Sequence, residues 1–450
     1  MGSNPIPSAI YYFFTLILRK LSQMDGYYIW TVGCQMNKAD SERLESALGQ
    51  MGLEPRQSPK EADVIVLNSC VVRQSAEDRV VGMMTSLKPL KQRKQDKVLA
   101  LMGCMVGPNT ADLQKRFPYV DVFMQPQQFQ PLIDLLGERM DLDTDGCIGP
   151  LVARPDVATY IPIIHGCDKF CTFCIIPYRR GREVSRPVAE IVLEAEMLVK
   201  RGVKEVTLLG QNVDSYGHDL TEDHDLGDLL GAVNDVSGIE RVRFLTSHPN
   251  DMSDHIIDSV AGLDKVCEHI NLPFQAGDDK VLADMRRGYT NDEYRRLIDK
   301  IRERIPNVSL STDVIVGFCG ESDAQFDETL SLIEDIKFDK VHAAAYSNRP
   351  GTIAERKLVD DVPQDEKKLR LKAIEILQER IATEINAELL GRRFDVLVEG
   401  RKRGKWFGRN RNDKLVFIND GDTYSDLAGK MVNVKIDKTA PWSLQGTIAH

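Results

Sequence analysis

Cys167, Cys171 and Cys174 are separated by three and then two residues, and Gly166 stands directly before the first. One loop of that length can present three thiolates to a single metal centre, but it supplies no fourth protein ligand. A structural zinc site closes with four nitrogen or sulfur ligands, and His165 is the near candidate to complete one. Three soft thiols with one position left open fit an iron-sulfur cluster better, its free iron available to a substrate or cofactor. Disulfides fit poorly, because the chain has nine cysteines, an odd number, and no convincing export signal. Burial as small hydrophobes does not explain three thiols in one polar, aromatic-flanked loop.

A second set is spread more widely. Between Met24 and residue 140, three short apolar runs each lead straight to a cysteine. The runs from Tyr27, Asp63 and Lys97 end at Cys34, Cys70 and Cys104, spaced 36 and 34 positions apart. Runs so short and so rich in β-branched and aromatic residues read as buried strands. The polar stretches between them read as helical crossovers, with Leu44, Leu48 and Met51 forming one apolar face. A parallel sheet with such crossovers places every strand's carboxyl end on one edge. The three cysteines could therefore meet in space, and together they are expected to supply a second three-ligand set. Any one of them alone reads as a core thiol.

Those elements belong to a chain of 450 residues, long enough for two to four domains. Hydrophobic content is 42% and formal charge −10, which argues against wholesale nucleic-acid binding and leaves room for a local basic patch. Ile10 to Leu18 is apolar without the flanks of a signal peptide, so residues 1–23 read as an extension, with membrane contact as the alternative. A cytoplasmic location, no membrane span and a monomer are expected. Residues 24–140 form the first domain. A linker with Pro150, Pro155 and an isolated Cys147 follows over 141–157.

From 158 to 390, six strand-like runs alternate with helical segments: Thr159 to Ile164, Glu205 to Leu209, Arg241 to Thr246, His269 to Leu272, Ser309 to Val316 and Val341 to Tyr346. That alternation predicts a partial (βα)6 barrel of parallel strands, open on one side. Its mouth, at the strand ends, collects the three-cysteine loop, Gln211, Asn212, Ser247, His248, Gln275, the Gly317–Glu321 turn and Arg349. Gln211, Ser247, Gln275, Gly317 and Glu321 are the candidate cofactor-binding residues, the glycine turn suiting close backbone approach. His248 reads more readily as a structural hydrogen-bonder than as a base. Leu369, Ile376, Ile381 and Ile385 give the helical stretch 364–390 an apolar face for packing on the barrel.

Residues 391–450 read as a small antiparallel β-barrel. Gly391 to Phe417 holds nine Lys or Arg against three Asp or Glu, with Trp406 and Phe407 inside the basic run. Arg401, Arg403, Lys405, Arg409, Arg411 and Lys414 are the candidate RNA-binding residues, because basic groups attract phosphates and aromatics stack on unpaired bases. A solvated charge run is the alternative.

The stretch CDKFCTFCIIPYRRGREVSRP from Cys167 resembles the cluster loop of radical S-adenosylmethionine enzymes, and specifically of the methylthiotransferases. TVGCQMNKADSERL from Thr31, NSC at Cys70, MGC at Cys104, LLGQNVDSYG from Leu208, TSHPNDMSD from Thr246 and YSNRPGT from Tyr346 match as well. GRNRNDKLVF from Gly408 resembles the family's C-terminal TRAM barrel, which binds RNA. The resemblance runs from about Met24 to the end, and is strongest to the members that methylthiolate isopentenyl-adenosine beside the anticodon of tRNA.

It implies two 4Fe-4S clusters. The one on Cys167, Cys171 and Cys174 binds S-adenosylmethionine, and one electron cleaves it to a deoxyadenosyl radical that abstracts hydrogen from carbon 2 of the adenine. The one on Cys34, Cys70 and Cys104 delivers sulfur, and a second S-adenosylmethionine supplies the methyl. An aromatic C–H is beyond side-chain acid-base chemistry, hence the cofactor. The partners implied are a tRNA anticodon loop with its adenosine unstacked, an electron donor and a sulfur source. The same chemistry on threonylcarbamoyl-adenosine in tRNA or on a ribosomal-protein aspartate is the alternative, and a non-enzymatic iron-sulfur RNA-binding protein the third. One departure stands out: Cys319 follows Gly317-Phe318 where the family usually has proline. Cys147, Cys267 and Cys319 match no ligand position.

Overall fold

The computed structural model describes residues 24–71, 74–142, 155–419 and 426–449. The extension 1–23, most of the linker and Cys147 lie outside the described residues. The chain divides into two compact units, Met1–Ala153 and Arg154–His450. Among the described residues, no helix is long and apolar enough to cross a membrane.

The first unit is built on five parallel strands, β1 (Gly26–Thr31), β2 (Glu54–Pro55), β3 (Val64–Ser69), β4 (Val98–Gly103) and β5 (Val122–Met124), in the order β2-β1-β3-β4-β5. Every residue of β3 and β4 is buried. Such unbroken apolar runs belong to a parallel sheet covered on both faces. Successive side chains point to opposite sides. Val64 and Val66 accordingly join Leu44, Leu48 and Met51 in one core. Ile65 and Leu67 join Val80, Met84 and Leu87 of the helix Gln74–Arg93 in the other. The three strands read from the sequence are β1, β3 and β4. At two and three residues, β2 and β5 are too short for a hydrophobic period to register.

The second unit begins with β6 (Ala158–Pro162), followed by a small antiparallel pair, β7 (Ile164–His165) and β8 (Val184–Ser185). Then come β9 (Glu205–Leu209), β10 (Arg241–Leu245), β11 (His269–Asn271), β12 (Ser309–Val316) and β13 (Lys340–Ala345). They form two parallel sheets, β10-β9-β6 and β11-β12-β13. A bridge between Val242 and Val266 and a bond from Ser247 N–H to the Asn271 carbonyl (3.0 Å) join them across β10 and β11. The six strands β6, β9, β10, β11, β12 and β13 thus make an arc in chain order with β6 and β13 at its edges, the expected partial barrel. Intervening helices start at reciprocal caps: Asp225 with Asp228, Thr290 with Glu293, Ser322 with Gln325.

The helix Gln364–Ala387 packs with only part of the expected face: Ile381 is buried and Ile385 half-buried. Leu369 and Ile376 are exposed, at 66% and 59%, whereas Lys367, Arg370, Ile374, Gln378, Ile381, Ala382 and Asn386 are buried. The polar members of that face donate to backbone carbonyls, while Gln378 Oε1 and Asn386 Oδ1 are buried without a partner among the described residues. Lys367 Nζ donates to the Tyr346 carbonyl (3.2 Å), Gln378 Nε2 to the Phe338 carbonyl (3.0 Å) and Asn386 Nδ2 to the Ala440 carbonyl (2.8 Å).

The last element is a closed barrel of β14 (Arg393–Lys402), β15 (Lys405–Arg409), β16 (Leu415–Ile418), β17 (Met431–Ala440) and β18 (Ser443–Ile448), ordered β14-β15-β16-β18-β17. Its pairings are antiparallel except β16 with β18, a parallel pair that closes it. Trp406 points into the core with Val396, Val398, Val416 and Leu444. Its strand neighbours Lys405 and Phe407 face the opposite side. Phe407 is half-buried and pairs across the strands with Phe417, ring centroids 6.4 Å apart.

Candidate functional site

In the first unit Cys70 and Cys104 sit one residue beyond a strand and Cys34 three residues beyond β1. Cys34 is the N-cap residue of the helix Gln35–Gln50, so the helix's positive end faces it. Cys70 follows β3 and Cys104 follows β4, whose N–H donates to the Ser69 carbonyl (2.9 Å). The ends converge. A Cβ on Gly33 would lie 3.0 Å from the Cys70 Cβ and 2.5 Å from Asn37 Oδ1, and Gly33 has φ +157°. Gly103, at φ +96°, packs its α-carbon against Asn68 and Ser69, where a Cβ would fall 2.4 Å from both.

Beneath the sulfurs runs a buried amide network. Asn37 Nδ2 donates to Asn68 Oδ1 and to the Ser69 carbonyl, each at 2.9 Å. Asn68 Nδ2 returns to the Asn37 carbonyl (2.7 Å) and to Ser41 Oγ (2.9 Å). Cys34 Sγ donates to Asn37 Oδ1 at 3.3 Å. One asparagine pair therefore ties the helix that carries Cys34 to the strand that ends at Cys70. The sequence reading missed this pair. Two amides flanking apolar strand ends, Asn37 three residues after Cys34 and Asn68 two before Cys70, were the available signal.

The second unit carries the compact set on the loop between β7 and the short helix Ile176–Arg180. Cys167 and Cys171 are buried and Cys174 is half-buried. Only glycine fits at 166: φ is +74° and a Cβ would meet the Arg182 carbonyl oxygen at 1.9 Å. The loop is held from several sides. Thr172 donates from its backbone to the Met285 carbonyl (3.0 Å) and from its hydroxyl to the Asp284 carbonyl (2.8 Å). Lys169 Nζ meets Asp251 Oδ1 at 2.6 Å, and Asn212 Nδ2 meets Asp251 Oδ2 at 2.6 Å. Arg287 Nη1 donates to Cys171 Sγ at 3.3 Å.

Burial pushes the Cys167 and Cys174 thiols up to about 12, with Cys171 adding to the effect at Cys174. Neutral thiols are thus the metal-free form, and a bound metal would displace their protons. Three sulfurs per site with no oxygen ligand among the matched positions is a donor set that fits an iron-sulfur cluster in each unit.

Around the mouth the expected residues take different parts. Gln211 is half-buried, two residues beyond β9. Ser247 is buried, its hydroxyl donating to Asp214 Oδ1 at 2.9 Å, while Asp214 Oδ2 accepts from His248 N–H at 3.0 Å. Burial raises the Asp214 carboxyl to about 7, against these two bonds. His248 is held neutral, pushed down to about 2 by burial and then by Arg287 and Lys169. Gln275 has φ +70° and its backbone bonds into β12, donating to the Asp313 carbonyl (3.0 Å). Gly317 has φ +68°, and a Cβ there would strike the Lys367 stem at 2.4 Å. Glu321 accepts from Gly317 N–H and pairs with Arg370 at 2.7 Å, both side chains buried. Glu321 thereby braces the turn from beneath. Cys319 is buried in that turn, and Cys267 is buried beside Arg241, Arg243 and Glu205.

The basic residues of the small barrel divide into two groups. Arg411 binds Glu268 through Nε and Nη2 (2.8 and 2.7 Å) and donates to the Asp264 carbonyl (2.7 Å). Lys414 pairs with Asp339 at 2.5 Å, and Arg409 with Asp413 (3.2 Å) and Glu399 (3.4 Å). From the other side, Arg243 donates to the Arg411 and Asn410 carbonyls (2.8 and 2.7 Å) and Arg241 to the Arg409 carbonyl (2.5 Å). The loop 409–414 therefore seats at the amino-terminal ends of β10, β11 and β13, opposite the mouth. Arg401, Arg403 and Lys405 remain exposed, Arg401 lying 4.7 Å over the Trp406 ring.

Three family models match successive parts of the chain: the uncharacterized protein family UPF0004 over residues 26–125, the Radical SAM superfamily over 161–333 and the TRAM domain over 387–449. Among solved structures, the radical S-adenosylmethionine methyltransferase TsrM from Kitasatospora setae is similar with a TM-score of 0.56 at 14% identity, over 74% of this chain and 77% of that one. That likeness shows the fold. Relatives named tRNA-2-methylthio-N(6)-dimethylallyladenosine synthase are far closer in sequence. The one from Dehalococcoides mccartyi strain 195 is 48% identical over 94% of this chain and 99% of its own length. That of Roseiflexus sp. RS-1 is 51% identical over 94% and 90%, and that of Herpetosiphon aurantiacus 49% over 95% and 98%. The chain belongs to this family, the tRNA-2-methylthio-N(6)-dimethylallyladenosine synthases of the Radical SAM superfamily.

Proposed function

We propose that this chain methylthiolates carbon 2 of N6-isopentenyl-adenosine next to the anticodon in tRNA, using two S-adenosylmethionine molecules and two 4Fe-4S clusters. The observation that carries the reading is the pair of three-cysteine sets at strand ends, in a chain about half identical to synthases of that name over nearly their whole length. When bound, the clusters supply the electron that cleaves S-adenosylmethionine and the site from which sulfur is delivered. Cys167, Cys171 and Cys174 would hold the first, and Cys34, Cys70 and Cys104 the second.

The remaining work falls to the chain's own residues. The Lys169–Asp251–Asn212 chain fixes the cluster loop against the ends of β9 and β10. Neutral His248 and the Ser247–Asp214 pair line the mouth with hydrogen-bonding groups that carry no extra positive charge. Gln211, Gln275 and the Gly317 turn offer polar or backbone surface for the cofactor. Arg401, Arg403 and Lys405, with Phe407 and Phe417 beside them, form the basic and aromatic face suited to RNA. An electron donor and a sulfur source are required from outside, and the chain acts as a monomer in the cytoplasm.

The test is an iron count with a product assay. Anaerobically reconstituted protein is expected to hold about eight irons, about four after Cys34, Cys70 and Cys104 are replaced by alanine together. It is also expected to form deoxyadenosine from S-adenosylmethionine when reduced. Protein with a full iron load that forms none would favour a non-enzymatic RNA-binding role.

A further inference from the structure

Arg287 is a buried cation that, among the described residues, forms no ion pair with a carboxylate. It is 5% exposed, and its guanidinium bonds go to a sulfur, a phenol and a carbonyl: Cys171 Sγ (3.3 Å), Tyr289 Oη (3.1 Å) and the Pro273 oxygen (3.0 Å). Tyr289 is itself anchored to the Phe274 carbonyl at 2.9 Å, and the guanidinium lies 5.4 Å from its ring centroid. His248 packs edge-on to Tyr289 at 6.0 Å and is held neutral. An ion removed from water costs several kcal/mol unless an opposite charge faces it. Arginine cannot escape by releasing its proton. The compensating negative charge would come from the sulfurs when they hold a metal as thiolates.

We propose that Arg287 is the built-in counter-charge of the Cys167–Cys171–Cys174 centre, a positioning residue that orients Cys171 and raises the reduction potential of the cluster held there. This rests on the reading that those three cysteines hold a cluster. Two effects act in the same direction. A fixed cation favours the reduced state, which carries one more electron, and an N–H···S bond drains charge from the thiolate. The fork reaches Cys171 and Pro273 together because Tyr289 holds its Nε edge. A lysine ammonium is a compact point charge without that fork.

The experiment uses the full chain carrying Cys34, Cys70 and Cys104 as alanine, so that one centre remains, and measures its midpoint potential by spectroscopic titration against low-potential viologen mediators. Arg287→Gln is expected to lower the reduced-to-oxidised ratio at fixed potential by about tenfold, a midpoint about 59 mV more negative for a one-electron couple. Arg287→Lys is expected to lower it about threefold, which decides the matter if the glutamine variant does not fold. Unchanged midpoints with unchanged iron content would overturn the proposal. If Cys167→Ala and Cys171→Ala together leave the iron content of this single-centre protein intact, the underlying cluster assignment fails instead.

Discussion

At the scale of single residues, the polar groups beneath the sulfurs do what the cysteines cannot do for themselves. Asn37→Ala removes three bonds from a buried network and leaves Asn68 Oδ1 without its donor. A loss of about 2–3 kcal/mol is expected, read by urea unfolding, together with weaker iron retention at Cys34. Asp214 gives a pH signature. Its folded pKa is raised from 3.8 to about 7 by burial, so the folded protein binds more protons than the unfolded chain between those values. Stability therefore falls as pH rises from about 4 to 7 and levels off above. Asp214→Asn imitates the protonated acid, so its stability relative to the parent should improve with pH across that window; a pH-independent offset would contradict the assignment. The six cysteines stood out as candidates because thiols are rare and their spacing is constrained by chemistry. Asn37, Asp214 and Arg287 were not, since an amide, a carboxylate or a guanidinium acquires its role only from the partners that tertiary folding brings to it.

At the scale of elements, strands were easier to read than helix faces. β9 and β12 fall on the expected residues, because a buried parallel strand is a short run of apolar or β-branched positions bounded by polar turns. The helix Gln364–Ala387 shows where that logic stops. Its isoleucines and leucines mark several directions, and the buried face is chosen by Arg370 reaching Glu321 and Asp323 and by Lys367 reaching Tyr346. Arg370→Ala is expected to cost about 3–5 kcal/mol by stranding the buried Glu321 carboxylate. Leu369→Glu or Ile376→Glu, on the outward side, should stay within about 0.5 kcal/mol. Thermal unfolding of the three variants separates the two faces.

At the scale of the whole molecule, the basic run of the last domain has two uses that composition alone does not separate. Arg411 and Lys414 meet acidic partners at the foot of the partial barrel, whereas Arg401, Arg403 and Lys405 stay in solvent. A charge on the sequence does not say whether its partner is a phosphate or a distant carboxylate of the same chain. Arg411→Ala should loosen the small barrel, at a cost of about 2–3 kcal/mol given the partial exposure of the pair, and admit protease near residue 390. Arg403→Ala and Lys405→Ala should leave stability unchanged and each reduce the salt dependence of tRNA binding by about one unit of slope.

The central claim, that this chain inserts a methylthio group into the isopentenyl-adenosine of tRNA, is tested most directly by mass analysis of tRNA nucleosides. The host for that measurement lacks its own synthase and expresses either this chain or its Cys171→Ala variant. Methylthio-isopentenyl-adenosine should appear with the first and be absent with the second. Unmodified isopentenyl-adenosine persisting alongside iron-loaded, folded parent protein would contradict it.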